Sequence, residues 1–210
     1  MLAVDVYVDV VCPWCFVGSE RLERVLGDPA LAGATVTYHP FMLDPATPPE
    51  GIDVPAMLQR KYGVDPRQLW ARVEEQARDA GIELDLSRQR LQYPTVRAHT
   101  LIRHAHAKGT QRALVRALFR ANFIDAWDIG DATVLAEVAA GHGFSIDEAV
   151  ALVNDEAQLR LTRRAVEAAA QMGIDGVPFF VFNQRLAVGG AQPEAVLREA
   201  IAQAQALPAG

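Results

Sequence analysis

"YVDVVCPWCFVG", residues 7–18, holds both cysteines of the chain, Cys12 and Cys15, with two residues between them. The stretch before them carries Val4, Val6, Val8, Val10 and Val11, so residues 2–11 read as a buried strand by composition and length. "WCFVGSERLERVL" (14–26) reads as a helix with Val17, Leu22, Val25 and Leu26 facing inward, ended by Gly27-Asp28-Pro29. A cysteine pair at a strand-to-helix junction has three readings: half a metal site, two core residues, or a redox pair.

A zinc site needs about four ligands, and there is no second C-x-x-C. The five histidines (His39, His99, His104, His106 and His142) form neither an H-x₃-H pair nor an HExxH, so no metal is expected. Two buried core cysteines remain the plainer alternative. The redox reading draws on position. At a helix start the backbone N–H groups are unpaired and the helix dipole is positive, which favours a thiolate. Free cysteine titrates near ~8.5, and cysteines in such sites fall to about 3.5–7.5. Cys12 stands at the junction and is the candidate nucleophile. Pro13 suits the first helical turn, where an N–H would go unpaired. Cys15 lies one turn on, on the same face, and is the candidate resolving thiol.

A second element supports the pair. Gly176-Val177-Pro178 opens the run "GVPFFVFN" (176–183), and a proline leading a strand is unusual unless the strand is an edge or the bond is cis. A cis Val177–Pro178 bond would leave the Val177 carbonyl and amide free for a substrate backbone. An ordinary trans proline is the alternative.

The chain has 210 residues, half of them apolar, which suits one large domain or one domain with an insertion. Twenty basic and 26 acidic side chains give a net charge of −6, which argues against a general nucleic-acid or anionic-membrane surface. No run of 18 apolar residues is present, so no membrane-spanning helix is expected. "MLAVDVYVDVV" has no basic leader, and the chain is read as starting at its first strand, in the cytoplasm. There, a close cysteine pair is catalytic or metal-binding more often than structural.

"ATVTYHPFML" (34–43) is a second strand, followed by the proline-rich "DPATPPEG". From about 54 to 172 no strand is expected. Helix starts recur instead, at Asp65-Pro66-Arg67-Gln68 and in the capping box Ser145-Ile146-Asp147-Glu148, and the block reads as five to seven helices. Strands return at 176–183 and 186–190, joined by a turn at Asn183-Gln184-Arg185. Gln192-Pro193-Glu194 opens a last helix to about Gln205, and "LPAG" reads as a frayed tail. The fold class expected is α/β: a thioredoxin-like core (1–50 and 173–210) with an all-helical insertion (51–172) between its βαβ and ββα halves.

"VDVVCPWCFVG", "GVPFFVFN" and "AVGGAQPEAVLREAI", with "LFRANFIDAWDIGDATVLAEVAAGHG" in the helical block, resemble the DsbA-like thioredoxin superfamily, specifically its FrnE-like disulfide oxidoreductases. The resemblance implies an inserted-helix thioredoxin fold, Cys12 and Cys15 as the redox pair and Pro178 as a cis proline. Trp14 stands where periplasmic DsbA enzymes carry a histidine. The buried acid that many thioredoxin-like proteins place six residues before the first cysteine is Val6 here. Asp9, three before Cys12, is the nearest acid; standing in for that acid as a proton relay is one reading, and a solvated or strand-end Asp9 is the one expected. The chromene-carboxylate isomerases and kappa-class glutathione transferases, a sister branch, use a serine where Cys12 stands.

His99, His104 and His106 are expected to be solvated on their helix. Trp70, Phe123 and Trp127 are expected to fill the insertion's core. Trp14, Phe16, Val177 and Phe179 are expected to form an apolar rim around the sulfurs. The function expected is thiol–disulfide exchange on protein thiols and disulfides. Pro13, Trp14, Val177 and Pro178 would bind substrate. The redox-active disulfide would be the only prosthetic element, with glutathione admitted as a co-substrate, and the sequence is compatible with a homodimer. The alternatives are a glutathione-dependent isomerase or transferase and a non-enzymatic peptide-binding chaperone.

Overall fold

The computed structural model describes residues 1–207. The central sheet has four strands, β1 (Ala3–Val8), β2 (Thr35–Pro40), β5 (Phe179–Phe182) and β6 (Leu186–Gly189), in the order β2-β1-β5-β6. β2 runs parallel to β1, with Val6 opposite Tyr38, while β5 and β6 pair antiparallel. A parallel neighbour needs a crossover. Helix α1 (Pro13–Leu26) provides it, burying Val17, Leu22, Val25 and Leu26. The three-residue β5–β6 turn places Asn183 and Gln184 at φ 51° and 57°, left-handed backbone closed by the Arg185 amide donating to the Phe182 carbonyl at 3.0 Å.

Between β2 and β5 lie seven α-helices: α2 (Val54–Tyr62), α3 (Pro66–Asp79), α4 (Val96–Ala107), α5 (Gln111–Phe123), α6 (Ala132–Ala140), α7 (Ile146–Asn154) and α8 (Glu156–Gln171). Asp65 caps α3 through the Arg67 amide, and Ser145 caps α7 through the Glu148 amide. α9 (Glu194–Ala206) closes the fold against α1 and β6. Residues 208–210 of the tail read as frayed lie outside the described residues.

Three readings need correction. The second strand spans Thr35–Pro40 and stops short of residue 43. The first strand ends at Val8 rather than Val11, because the backbone turns there and the Cys12 amide donates to the Asp9 carbonyl at 3.0 Å. The helical block also contains extended backbone: β3 (Ile52–Asp53) pairs antiparallel with β4 (Leu91–Gln92). Strands of two residues carry no alternation from which a sequence could reveal them.

The sheet and the helical block share one buried cluster, running from Val4, Val6 and Val8 through Phe16 to Leu101, Leu118 and Leu135. Phe16 stacks on Phe119 (5.3 Å between centroids) and on Phe123 (6.0 Å). At the edge of the sheet, α4, α5 and α8 pack on β2. There the buried Gln111 side chain accepts from the Tyr38 amide at 2.9 Å and donates to the Tyr38 carbonyl at 3.0 Å, as an adjoining strand would.

Candidate functional site

Cys12 is the N-cap of α1, with extended backbone (φ −91°, ψ 112°) and Pro13 in the first turn. Its carbonyl accepts from the amides of Cys15 (3.0 Å) and Phe16 (3.3 Å), so the cysteine starts the helix through its main chain while its side chain caps nothing. Its sulfur lies 3.8 Å from the Val177 carbonyl. Both cysteines are free thiols; Cys12 is 4% exposed and Cys15 fully buried. Burial pushes the Cys15 thiol well above the ordinary range, helped by its hydrogen bond to Cys12 and by the charges of Cys12 and Asp9, while a hydrogen bond with the Asp9 backbone acts the other way. The resolving position therefore favours a protonated thiol beside the helix-start sulfur.

The Val177–Pro178 bond is cis. Pro178 is buried and its carbonyl accepts from the Gly190 amide at 2.7 Å. The proline ring sits against Gly18: a Cβ built there would be 2.9 Å from Pro178 Cγ and 3.2 Å from Phe180 Cζ. Gly18 lets α1 approach the proline loop that closely. Glycine in a helix interior costs about 1 kcal/mol relative to alanine, and that cost is the sequence signal that a packing reason exists.

The buried Arg21 extends the same scaffold. Its guanidinium donates to the Ala191 carbonyl (2.7 Å) and to Gln76 Oε1 (2.8 Å), joining α1 to the loop beside Pro178 and to α3. Among the described residues, no carboxylate is a hydrogen-bond partner of Arg21.

Several sequence expectations fail at this site. Asp9 is 1% exposed, not solvated: Oδ2 accepts from the Leu43 amide at 2.8 Å and Oδ1 lies 3.2 Å from His99 Nε2. His99 is likewise 1% exposed, because Ala98, His99, Ile102 and Ala105 fall on the buried face of α4. His104 is half-buried against Gln158, and of the three only His106 is exposed. Phe16 is no rim residue, since the stack with Phe119 and Phe123 buries it. Trp127 stands 44% exposed beyond the end of α5, outside any core. Phe123 is in the core, but it joins the insertion to α1 rather than filling the insertion alone. Trp70 is half-buried and packs on the core. Trp14 and Val177 are half-buried beside the cysteines, and Phe179 is half-buried in a satellite cluster with Tyr7 and Ile174.

Among the described residues, no group of three or more His, Cys, Asp or Glu is placed to hold a metal ion, and no helix is long and apolar enough to cross a membrane.

A dithiol at the start of the crossover helix, facing a proline loop in a four-stranded mixed sheet, defines a thioredoxin-fold protein carrying a helical insertion. The chain belongs to the DSBA-like thioredoxin domain family, whose model matches residues 3–202. It is similar to a probable DsbA oxidoreductase from Streptomyces coelicolor, at 33% identity and a TM-score of 0.88, over 100% of this chain and 92% of that one. The fold is shared with a 2-hydroxychromene-2-carboxylate isomerase (18% identity, TM-score 0.74, 96% of this chain and 95% of that one). It is also shared with the cytosolic disulfide reductase DsbM from Pseudomonas aeruginosa with GSH (20% identity, TM-score 0.64, 94% and 98%). No curated relative matches the sequence.

Proposed function

We propose that the protein is a cytoplasmic thiol–disulfide oxidoreductase acting on protein thiols and disulfides through Cys12 and Cys15. The observation that carries this reading is the asymmetry of the pair: Cys12 caps the helix start, and Cys15 is fully buried with its thiol pushed up.

In the reducing direction the Cys12 thiolate attacks one sulfur of a substrate disulfide. A Cys12–substrate disulfide forms and the other substrate sulfur leaves as a thiolate. Cys15 then gives up its proton and attacks Cys12; the Cys12–Cys15 bond forms and the second substrate thiolate departs. Two electrons pass from the pair to the substrate, and two protons complete the substrate thiols. The oxidising direction is the reverse. Pro13, Trp14 and the Val177–Pro178 loop are the substrate-contacting groups, with the Val177 carbonyl beside Cys12 available to a substrate amide.

Glutathione is the small-molecule thiol that fits this chemistry, and the reductase of like fold was solved with it. A glutathione-dependent isomerase is the rival reading. It predicts turnover that survives Cys15→Ser, whereas exchange through a dithiol does not.

The deciding experiment equilibrates the protein against glutathione redox buffers and reads the cysteine state by mass spectrometry. A two-electron transition is expected. A midpoint above about −200 mV defines an oxidase or isomerase of protein thiols, and one near −270 mV a reductase. Absence of an intramolecular disulfide at every poise rejects the redox reading.

A further inference from the structure

Residues 9–12 belong neither to β1 nor to α1, so their polar groups must find partners elsewhere. The Asp9 carbonyl accepts from the Cys12 amide. The Val10 carbonyl accepts from Asn122 Nδ2 at 3.3 Å, and Asn122 Oδ1 accepts in turn from Gln89 Nε2 at 2.8 Å. The Asp9 carboxylate is held by the Leu43 amide and by His99. Asp9, His99, Asn122 and Gln89 are all buried, and the intervening Val8, Val10 and Val11 are apolar. Three of these four polar side chains come from the helical stretch between β2 and β5, not from the sheet that carries the cysteines.

A cross-link between insertion and core needs no ionisable groups, and apolar packing serves that purpose at lower cost. Asp9 also bears on Cys15. The charges that act on Cys15 are those of Cys12 and Asp9, and the Asp9 backbone hydrogen-bonds to Cys15 as well. The other elements around the turn present an imidazole (His99, α4), neutral amides (Asn122 in α5, and Gln89), the Leu43 amide and the Val177 carbonyl. Further along α4, Arg103 and His104 face Gln158, and Asp44 caps Ala46.

We infer that His99 and Asn122 are positioning residues for the cysteine pair: they hold the Asp9–Val10 turn on which the sulfurs are mounted, and His99 supplies the hydrogen bond that offsets the buried Asp9 carboxylate. The inference rests on the redox reading of Cys12 and Cys15. It assigns the helical insertion a part in the chemistry itself.

The test measures the alkylation rate of Cys12 by iodoacetamide in the reduced protein across pH. This readout needs no disulfide formation, so it is separable from the redox titration. In His99→Ala, Asp9 keeps one neutral donor and its charge bears more strongly on the sulfurs, which disfavours thiolate. The profile is expected to move upward by about one pH unit, slowing alkylation about tenfold at pH values well below the wild-type midpoint. His99→Gln, whose amide still donates to Asp9, is expected to retain most of the wild-type rate. The double variant His99→Ala/Asp9→Asn is expected to return the profile toward wild type, a coupling that independent sites lack. Asn122→Ala is expected to slow alkylation without moving the midpoint. A folded His99→Ala with reduced thermal stability and an unchanged profile overturns the inference and leaves a structural cross-link only. Should His99→Ala not fold, the wild-type protein decides. The His99 imidazole NMR signals must differ between dithiol and disulfide forms, and identical signals overturn the inference equally.

Discussion

Cys15 has no solvent exposure, and its thiol is raised first by burial, then by Cys12. A group whose proton is held more tightly in the folded state stabilises that state below its unfolded pKa, and the contribution is lost as pH rises. Thermal stability of the reduced protein is therefore expected to fall from about pH 8.5 upward, where an unfolded cysteine ionises. The fall should be shallower in Cys15→Ala; equal slopes in the two proteins would remove Cys15 as its source. In exchange assays Cys12→Ser should abolish turnover, and Cys15→Ser should accumulate a Cys12–substrate mixed disulfide visible by mass spectrometry. At this scale the cysteines were legible because C-x-x-C at a strand–helix junction is a local pattern. Asp9 and His99 depart from the expectation because solvation is the usual state of isolated polar residues, and their hydrogen-bond partners, the Leu43 amide and each other, are distant in sequence.

Helix α1 is the element through which the parts of the site are joined. It presents Cys12 at its start, Gly18 to Pro178, Arg21 to the 191 loop and α3, and Glu20 and Glu23 to Arg116 and Arg112 of α5. Gly18→Ala gains helix propensity but drives a methyl group into a proline ring that has little freedom to move. Overpacking of this kind costs about 1–3 kcal/mol, which a urea titration should show, and it should also lower the exchange rate. Loss of rate without loss of stability would mean that the helix yields and the sulfurs move. Arg21→Met keeps bulk but leaves the Ala191 carbonyl and Gln76 without their donor, and should cost about 1–3 kcal/mol. The bounds of α1 were legible from Pro13 and from Gly27-Asp28-Pro29. Arg21 was not, since an arginine on a helix reads as surface unless its carbonyl partners are known.

The order β-α-β, helices, β-β-α was readable because the periodicity changes twice along the chain, and the resemblance to DsbA-like proteins supplied the same order. The extent of the union between the parts was not readable. A single buried cluster runs through the sheet and the insertion, and the Phe16–Phe119–Phe123 stack crosses between them. The division into a core (1–50 and 173–210) and an insertion (51–172) should therefore hold in sequence and not in stability. Unfolding in urea is expected to be one transition, coincident by circular dichroism and by tryptophan fluorescence from Trp14, Trp70 and Trp127. A 51–172 fragment should lack a cooperative transition of its own; a sharp one would show that the insertion is an autonomous unit.

Gln111 gives the molecule a further property. Its amide takes both main-chain groups of Tyr38 on the outer side of β2, so an incoming strand finds that position already filled. The four-stranded sheet then has one margin left, the four residues of β6. Open-ended fibre growth by strand addition requires two free margins per copy, because each molecule must receive and donate. With one margin sealed, two copies can meet through β6 and the assembly stops there. Gln111 and the three helices packed on β2 thus leave β6 as the margin open to a further strand.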